Sequence, residues 1–305
     1  MIEPRRRGRQ KPQGPVGLRR DAEKIGGALP PLLAEAEMLA ATVAMGVHGR
    51  RRAGTGENFW QYRQAIPGDA RSQVDWRRSG RSDVHYIREM EWEAAQTVSL
   101  WVDDAQSMDY RAETSPRTKA ERAALLALAL SVLLIKAGER VALMGGTASQ
   151  PRGGRAQLNR VAMELGGAAR EDRPDYGAPP PDRMVRGGRA VFFSDFLGDT
   201  DELMPALAHA ANQGVRGAIV QVLDESEEAF PFDGRVVFES MAGATEFETQ
   251  RARALKDSYV ERLELRRGRL HDLARRLGWR VLFHRTSQSP RQALLWLYMA
   301  IGERA

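Results

Sequence analysis

An α/β fold built on a mostly parallel sheet, with helices on both faces, is what this 305-residue chain predicts. Two observations carry the prediction. From Gln96 onward, apolar runs of strand length alternate with helical patterns, which is the rhythm of successive βαβ units. The strand runs are also nearly continuous in apolar residues, as suits strands buried on both faces. Composition agrees: hydrophobic residues are 42% and charged residues 28%, enough to bury a sizeable core. The chain has no cysteine, which excludes a disulfide framework, thiolate zinc sites and cysteine nucleophiles.

Taken in order, residues 1–20 read as a disordered basic arm, rich in Pro, Gly and Arg. Residues 29–47 carry Leu and Met at helical spacing, with Pro30 and Pro31 suited to a first turn. Arg50, Arg51 and Arg52 form a basic run, and Gly54 and Gly56 mark a loop. Phe59, Tyr62 and Ile66 lie in an extended segment ending at the turn Pro67-Gly68-Asp69, and Val84, Tyr86 and Ile87 begin another strand.

The sheet follows. Thr97–Val102 is a first strand ending in Asp103-Asp104, and Pro116–Lys136 a helix apolar nearly all round, closed by Gly138. Val141–Met144 is a strand, 155–165 an amphipathic helix, 170–182 a Pro/Gly-rich loop, and Arg189–Phe193 a strand ending in Ser194-Asp195. Asp201–Gln213 reads as a helix, Gly217–Leu223 as a strand, and 235–239 as an edge strand. Arg251–Leu277 is a long charged helix, Trp279–Phe283 a strand, and Pro290–Ile301 a final helix.

Ligands of such sheets bind beyond the carboxyl ends of the strands, where the strand order reverses. Two strands here end in acidic residues, at Asp103-Asp104 and at Asp195. An aspartate followed four residues later by Ser107, with Asp195 from another strand, offers hard oxygen ligands for Mg²⁺. From spacing alone, these residues are better read as caps of the helix or turn that follows.

The stretch Phe59-Trp-Gln-Tyr-Arg-Gln-Ala-Ile-Pro-Gly-Asp69, then Arg71, Val74-Asp-Trp76 and Ser79-Gly-Arg81, resembles the signature of the bacterial "domain of unknown function 58" family. Glu89, Glu91 and Glu93, the run Val98–Met108, Ser194-Asp195-Phe196, Gln221–Asp224 and the tail Thr286, Pro290, Leu294 follow in the family's order. The resemblance implies a three-layer von Willebrand factor A-like (Rossmann-type) fold with an N-terminal helical and β extension. It divides the chain into the arm at 1–20, an extension at 21–95 carrying the signature, and the von Willebrand factor A-like domain at 96–305. It further implies a site similar to a metal-ion-dependent adhesion site and partnership with a MoxR-type AAA+ ATPase or a client protein.

That site is degenerate here. The family-type loop runs Asp-x-Ser-x-Ser, and Ala105 stands at its first serine. Asp103, Ser107 and Asp195 remain as metal ligands, while Gly153, Gly154 and Arg155 stand where the usual threonine would be. An arginine at that place could replace the cation with its own guanidinium, leaving open whether the site holds a metal, an arginine or water. Strand alternation turns Asp104 away from Asp103, towards solvent or a partner. Arg71, Arg77 and Arg78 are candidate docking residues, whereas Asp69 and Asp75 are expected to pair with arginines while Trp76 packs under the loop.

The function expected is therefore a non-enzymatic, cytoplasmic protein-interaction module. No stretch is long enough to cross a bilayer, the longest apolar run being Ala123–Ile135, and no apolar segment backs the N-terminal arginines. A Mg²⁺-dependent hydrolase or phosphoryl-transfer enzyme is the first alternative; a Gly-x-Ser-x-Gly elbow and a Walker loop are both missing, and the five histidines are scattered. Nucleic-acid binding ranks last despite a net charge of +6, because Glu261, Glu264 and Asp272 interleave with the arginines of 262–280.

Overall fold

The computed structural model describes residues 31–44, 59–66, 69–80, 84–90, 95–167, 172–180, 184–241 and 246–302. The arm at 1–20, Arg50–Arg52, Gly54, Gly56, Pro67, Gly68, Arg81, Glu91 and Glu93 lie outside them. Helix α1 (Pro31–Ala44) comes first, then β1 (Phe59–Gln64), a short helix α2 (Trp76–Ser79) and β2 (Tyr86–Met90). The order continues as β3 (Thr97–Val102), α3 (Lys119–Lys136), β4 (Arg140–Leu143), α4 (Arg155–Leu165), β5 (Arg189–Ser194), α5 (Met204–Asn212) and β6 (Arg216–Leu223). After a short α6 (Glu225–Ala229) come β7 (Val236–Glu239), β8 (Glu246–Thr249), α7 (Lys256–Arg276), β9 (Arg280–Arg285) and α8 (Pro290–Gly302).

Five strands form one sheet in the order β4-β3-β5-β6-β9, and every neighbouring pair is parallel. The register sets Leu100 beside Leu143 on one side and Val191 on the other. One face of the sheet packs Val98, Leu100, Val191, Phe193 and Val220 against α1, α3, α4 and α8. The other packs Trp101, Phe192 and Ile219 against α5 and α7. The fold class is the expected one, a three-layer α/β arrangement. Helix α3 is buried on almost every side, which is why its sequence shows no polar face.

Helix α1 is covered by the rest of the chain: Leu33, Ala36 and Ala40 are fully buried in the same core as α3 and α8. Ion pairs from Glu35 to Arg117 (2.8 Å) and from Glu37 to Arg155 fasten it. The segment thus belongs to the helical layer of the main sheet.

Three local expectations are corrected. Residues 235–239 are not an edge of the main sheet: β7 pairs antiparallel with β8 in a separate two-stranded ribbon. Phe230, in the left-handed region at φ 44°, turns the chain, and the rings of Phe230, Phe232, Phe238 and Tyr259 pack together, stacked, tilted or edge-on, at centroid distances of 4.8 to 5.6 Å to hold the ribbon aside. Helix α3 starts at Lys119 rather than Pro116, because Thr118 and Glu121 form a reciprocal capping box. The helices expected at 201–213 and 251–277 each open with a 3-10 turn before α5 and α7 begin.

Removing the apolar anchor of α1 should therefore destabilise the whole core. Leu33→Ala is expected to cost about 2–5 kcal/mol in urea-induced unfolding, with a single transition retained. A second, separate transition would show that α1 melts independently.

Candidate functional site

The sheet runs outward from β3, to β4 on one side and to β5 on the other, so the strand order reverses between β3 and β5. That is the switch point at which parallel sheets open a crevice at their carboxyl ends. Asp103 follows β3 and Asp195 follows β5, while Asp224 follows the next strand, β6. All three are buried, at 1%, 1% and 0% exposure. Isolated buried carboxylates would be prohibitively costly, so each must face donors.

The sequence reading missed the main donor. Lys119, the first residue of α3, is 1% exposed, and its Nζ lies 2.8 Å from Asp195 Oδ2 and 2.6 Å from Glu227 Oε1. Its ammonium also sits 5.7 Å from the Tyr110 ring centroid. Burial pulls the Lys119 pKa down, but the carboxylates of Asp195 and Glu227 outweigh it, and the net displacement is upward. Burial raises the Glu227 carboxyl in spite of Lys119.

Asp103 is held differently. Its Oδ2 accepts from the Ser194 hydroxyl (2.6 Å) and its Oδ1 from the Ala105 N–H (2.9 Å). Burial, against those two hydrogen bonds and reinforced by the charges of Asp195 and Asp104, raises its pKa to about 6. Asp224 accepts from the hydroxyls of Ser115, Ser226 (2.8 Å) and Thr286 (3.1 Å) and from the Ser226 N–H (3.0 Å). Burial would raise it, yet these donors outweigh burial and hold its carboxyl below the usual range.

The loop 172–180 closes over the strand ends. The carbonyls of Pro174 and Asp175 accept from the N–H groups of Gln106 and Ser107, both at 2.9 Å. Arg173 donates to the Asp104 carbonyl (3.0 Å) and pairs with Asp109. Gly177 lies so close that a Cβ there would fall 2.0 Å from Asp103 Oδ1, and a Cβ on Gly198 would fall 2.7 Å from that of Tyr176. Phe196, the residue after Asp195, is bent into the left-handed region at φ 50°, with its N–H on Ser194 Oγ (2.9 Å) and its carbonyl accepting from Arg266 (2.9 Å). This strained turn aims Asp195 at Lys119.

Of the expected site residues, Asp103 and Asp195 do come together at the switch point. Ser107 is 7% exposed and its hydroxyl has no hydrogen-bond partner among the described residues. Arg155 does not neutralise the carboxylates: it is the first residue of α4 and pairs with Glu37. Asp104 is exposed, and so are Arg71, Arg77 and Arg78. Among the described residues no group of three or more His, Asp or Glu side chains could hold a metal ion.

The signature segment forms a clamp around the β1–β2 hairpin. Arg63 grips Asp69 in a bidentate pair at 2.6 and 2.7 Å, and that hydrogen bonding lowers the Asp69 pKa to about 2. Asp75 caps α2, accepting from the N–H groups of Arg77 (3.1 Å) and Arg78 (3.0 Å) and from the Tyr62 hydroxyl (3.0 Å). Arg78 stacks over Tyr62 at 4.3 Å. Trp76 does not pack under the loop. It is 58% exposed, edge-on to His85 at 5.4 Å, because the four-residue α2 has only one inward position and Ser79 takes it.

Comparison with known proteins fits this signature. The family model described as "Protein of unknown function DUF58" matches residues 61–269. The chain belongs to the DUF58 family. Uncharacterized proteins of Mycobacterium bovis and Mycobacterium tuberculosis are 27% identical to this DUF58 chain over 281 residues, covering 88% of it and 87% of each relative. Among solved structures, an aerotolerance-related membrane protein from Bacteroides fragilis aligns at 12% identity and a TM-score of 0.39, covering 68% of this chain and 98% of its own. The conserved hypothetical protein BatB from Bacteroides thetaiotaomicron aligns at 12% identity and 0.40, covering 67% and 97%.

The buried pair has a direct consequence. Lys119→Met leaves Asp195 and Glu227 buried without their cation and is expected to cost about 3–5 kcal/mol in chemical denaturation. A loss within about 0.5 kcal/mol would show the pair to be energetically idle.

A second prediction concerns pH. Burial, with Arg122 nearby, lowers the His284 pKa from 6.5 to about 4. The unfolded chain therefore takes up this proton first, and stability present above pH 6.5 is lost as pH falls towards 4, by about 2–3 kcal/mol. The difference in unfolding free energy between wild type and His284→Gln should narrow over that window; a constant difference would remove His284 as its source.

Proposed function

We propose that this chain is a non-enzymatic, cytoplasmic protein-interaction module, an adaptor or assembly factor working with a MoxR-type AAA+ ATPase or with a client protein. The observation that carries the reading is the internal saturation of the strand-end charges. Asp103, Asp195, Asp224 and Glu227 each face donors of the same chain, and the loop 172–180 covers Asp103. A general acid, base or nucleophile needs reach to a substrate, whereas these groups are hydrogen-bonded within the chain and have little solvent beside them. Among the described residues no helix is long and apolar enough to cross a membrane.

The contact surface proposed is the exposed rim. Arg71, Arg77 and Arg78 with Trp76 present a cationic and aromatic edge, rigidly mounted by the Asp69 and Asp75 clamps. Arginine and tryptophan are the side chains that anchor interfaces most strongly, and a fixed mount lowers the entropy lost on binding. Asp104 stands exposed beside the strand ends and supplies the opposite charge there. The partnership with an AAA+ ATPase rests on the family resemblance alone.

The test is affinity capture from an extract of the source cells with the full chain as bait. Wild type is expected to recover an AAA+ ATPase or one client. The Arg77→Glu/Arg78→Glu variant, folded by circular dichroism, should recover at least about fivefold less, the effect of losing one or more anchors of above 1 kcal/mol. Equal recovery by both baits would remove the arginine edge from the interface, and turnover of a nucleotide or phosphoester by the purified chain would overturn the non-enzymatic reading.

A further inference from the structure

The family-type site would use a divalent cation to hold its carboxylates together. Whether these residues fit one is decided by what already surrounds each ligand. Asp195 is occupied by the ammonium of Lys119, which reaches Glu227 at the same time, and all three are buried or nearly so. Asp103 has one oxygen on the Ser194 hydroxyl and the other on the Ala105 N–H, with the Gly177 backbone directly above it. Of the three expected ligands, Ser107 is the one whose hydroxyl makes no hydrogen bond among the described residues. One neutral hydroxyl does not make a Mg²⁺ site, since such ions demand near-octahedral oxygen coordination and part reluctantly with their water. The residues present do not fit the ion.

We propose that Lys119 is the resident cation of the strand-end site, its ammonium supplying the positive charge that a divalent ion would supply. The placement is specific. Lys119 is the first residue of α3, where the helix dipole disfavours a cation, and the carboxylates of Asp195, just after β5, and Glu227, on α6, offset that cost. The site is thereby assembled as the chain folds and needs no ion from solution. A metal would also offer an open position to an acidic side chain of a partner. A lysine 1% exposed offers none, so partner recognition passes to the exposed rim. The inference concerns the site's internal charge and holds whether or not the capture experiment above succeeds.

The test is a Mn²⁺ titration of the chelator-treated full chain, followed by electron paramagnetic resonance of the free ion and by thermal unfolding with Mg²⁺, Ca²⁺ and Mn²⁺. Wild type is expected to bind no Mn²⁺ tighter than about 1 mM and to keep its unfolding temperature with each ion. Lys119→Ser removes the ammonium and leaves room. It should melt lower than wild type and recover part of the loss with Mn²⁺ in a saturable way, and Lys119→Ser/Asp195→Asn should not recover. Sub-millimolar Mn²⁺ binding by wild type that disappears in Asp195→Asn would overturn the proposal, as would a folded Lys119→Ser with no gain in metal response. The wild-type titration decides alone if Lys119→Ser does not fold.

Discussion

An ammonium group buried among carboxylates is the constraint on which the strand-end region depends. Removing Lys119 from water costs several kcal/mol before any attraction is counted, and the cost is offset only if both acidic partners are placed to within hydrogen-bond distance. Three elements are bound together by that requirement. The capping box of Thr118 and Glu121 fixes where α3 starts, the strained turn at Phe196 fixes Asp195, and the capping box of Asp224 and Glu227 fixes α6. A shift of one residue in any of them would leave a charge alone in the interior.

The surrounding polar groups extend the same logic outward. Asp224 gathers hydroxyls from Ser115, Ser226 and Thr286, which come from three separate segments, and Tyr110 reaches Ser226 at 2.9 Å. On the far side Arg267 bonds Gln221, whose amide in turn donates to the Asp195 carbonyl at 2.9 Å. Glu228 sits between Arg267 and Arg285. A network in which every member is engaged rigidifies a region, and such rigidity suits a scaffold that presents a surface better than a site that must admit substrate.

The hairpin signature works on a smaller scale by the same means. Its rare residue pairs are mostly structural: Asp69 closes a turn on Arg63, and Asp75 caps α2 while accepting from Tyr62. What those contacts hold in place is a set of exposed side chains, Arg71, Trp76 and Arg77. Structure and recognition are therefore divided between adjacent residues of one motif, so the motif alone did not separate the two roles.

The sequence by itself determined the layered α/β class and nearly every strand of the main sheet, because continuous apolar runs leave a strand no alternative but burial on both faces. It also determined that Asp103 and Asp195 lie at strand ends. It carried two unused signals for the rest: a lysine in the first turn of α3, against the helix dipole, and an Asp-x-x-Glu capping box at Asp224. Only the tertiary structure decided which cation meets which carboxylate. Arg155 and Lys119 are equally charged in the sequence, but α4 turns the first towards Glu37 while α3 points the second at Asp195 and Glu227. The aromatic cluster around Phe230 likewise decided that β7 leaves the sheet, and the single inward position of α2 decided that Trp76 faces out. Charge pairs and hydrogen bonds join residues more than 100 apart in the chain, as in Arg155 with Glu37 and Ser115 with Asp224, and local periodicity carries no record of contacts at that separation.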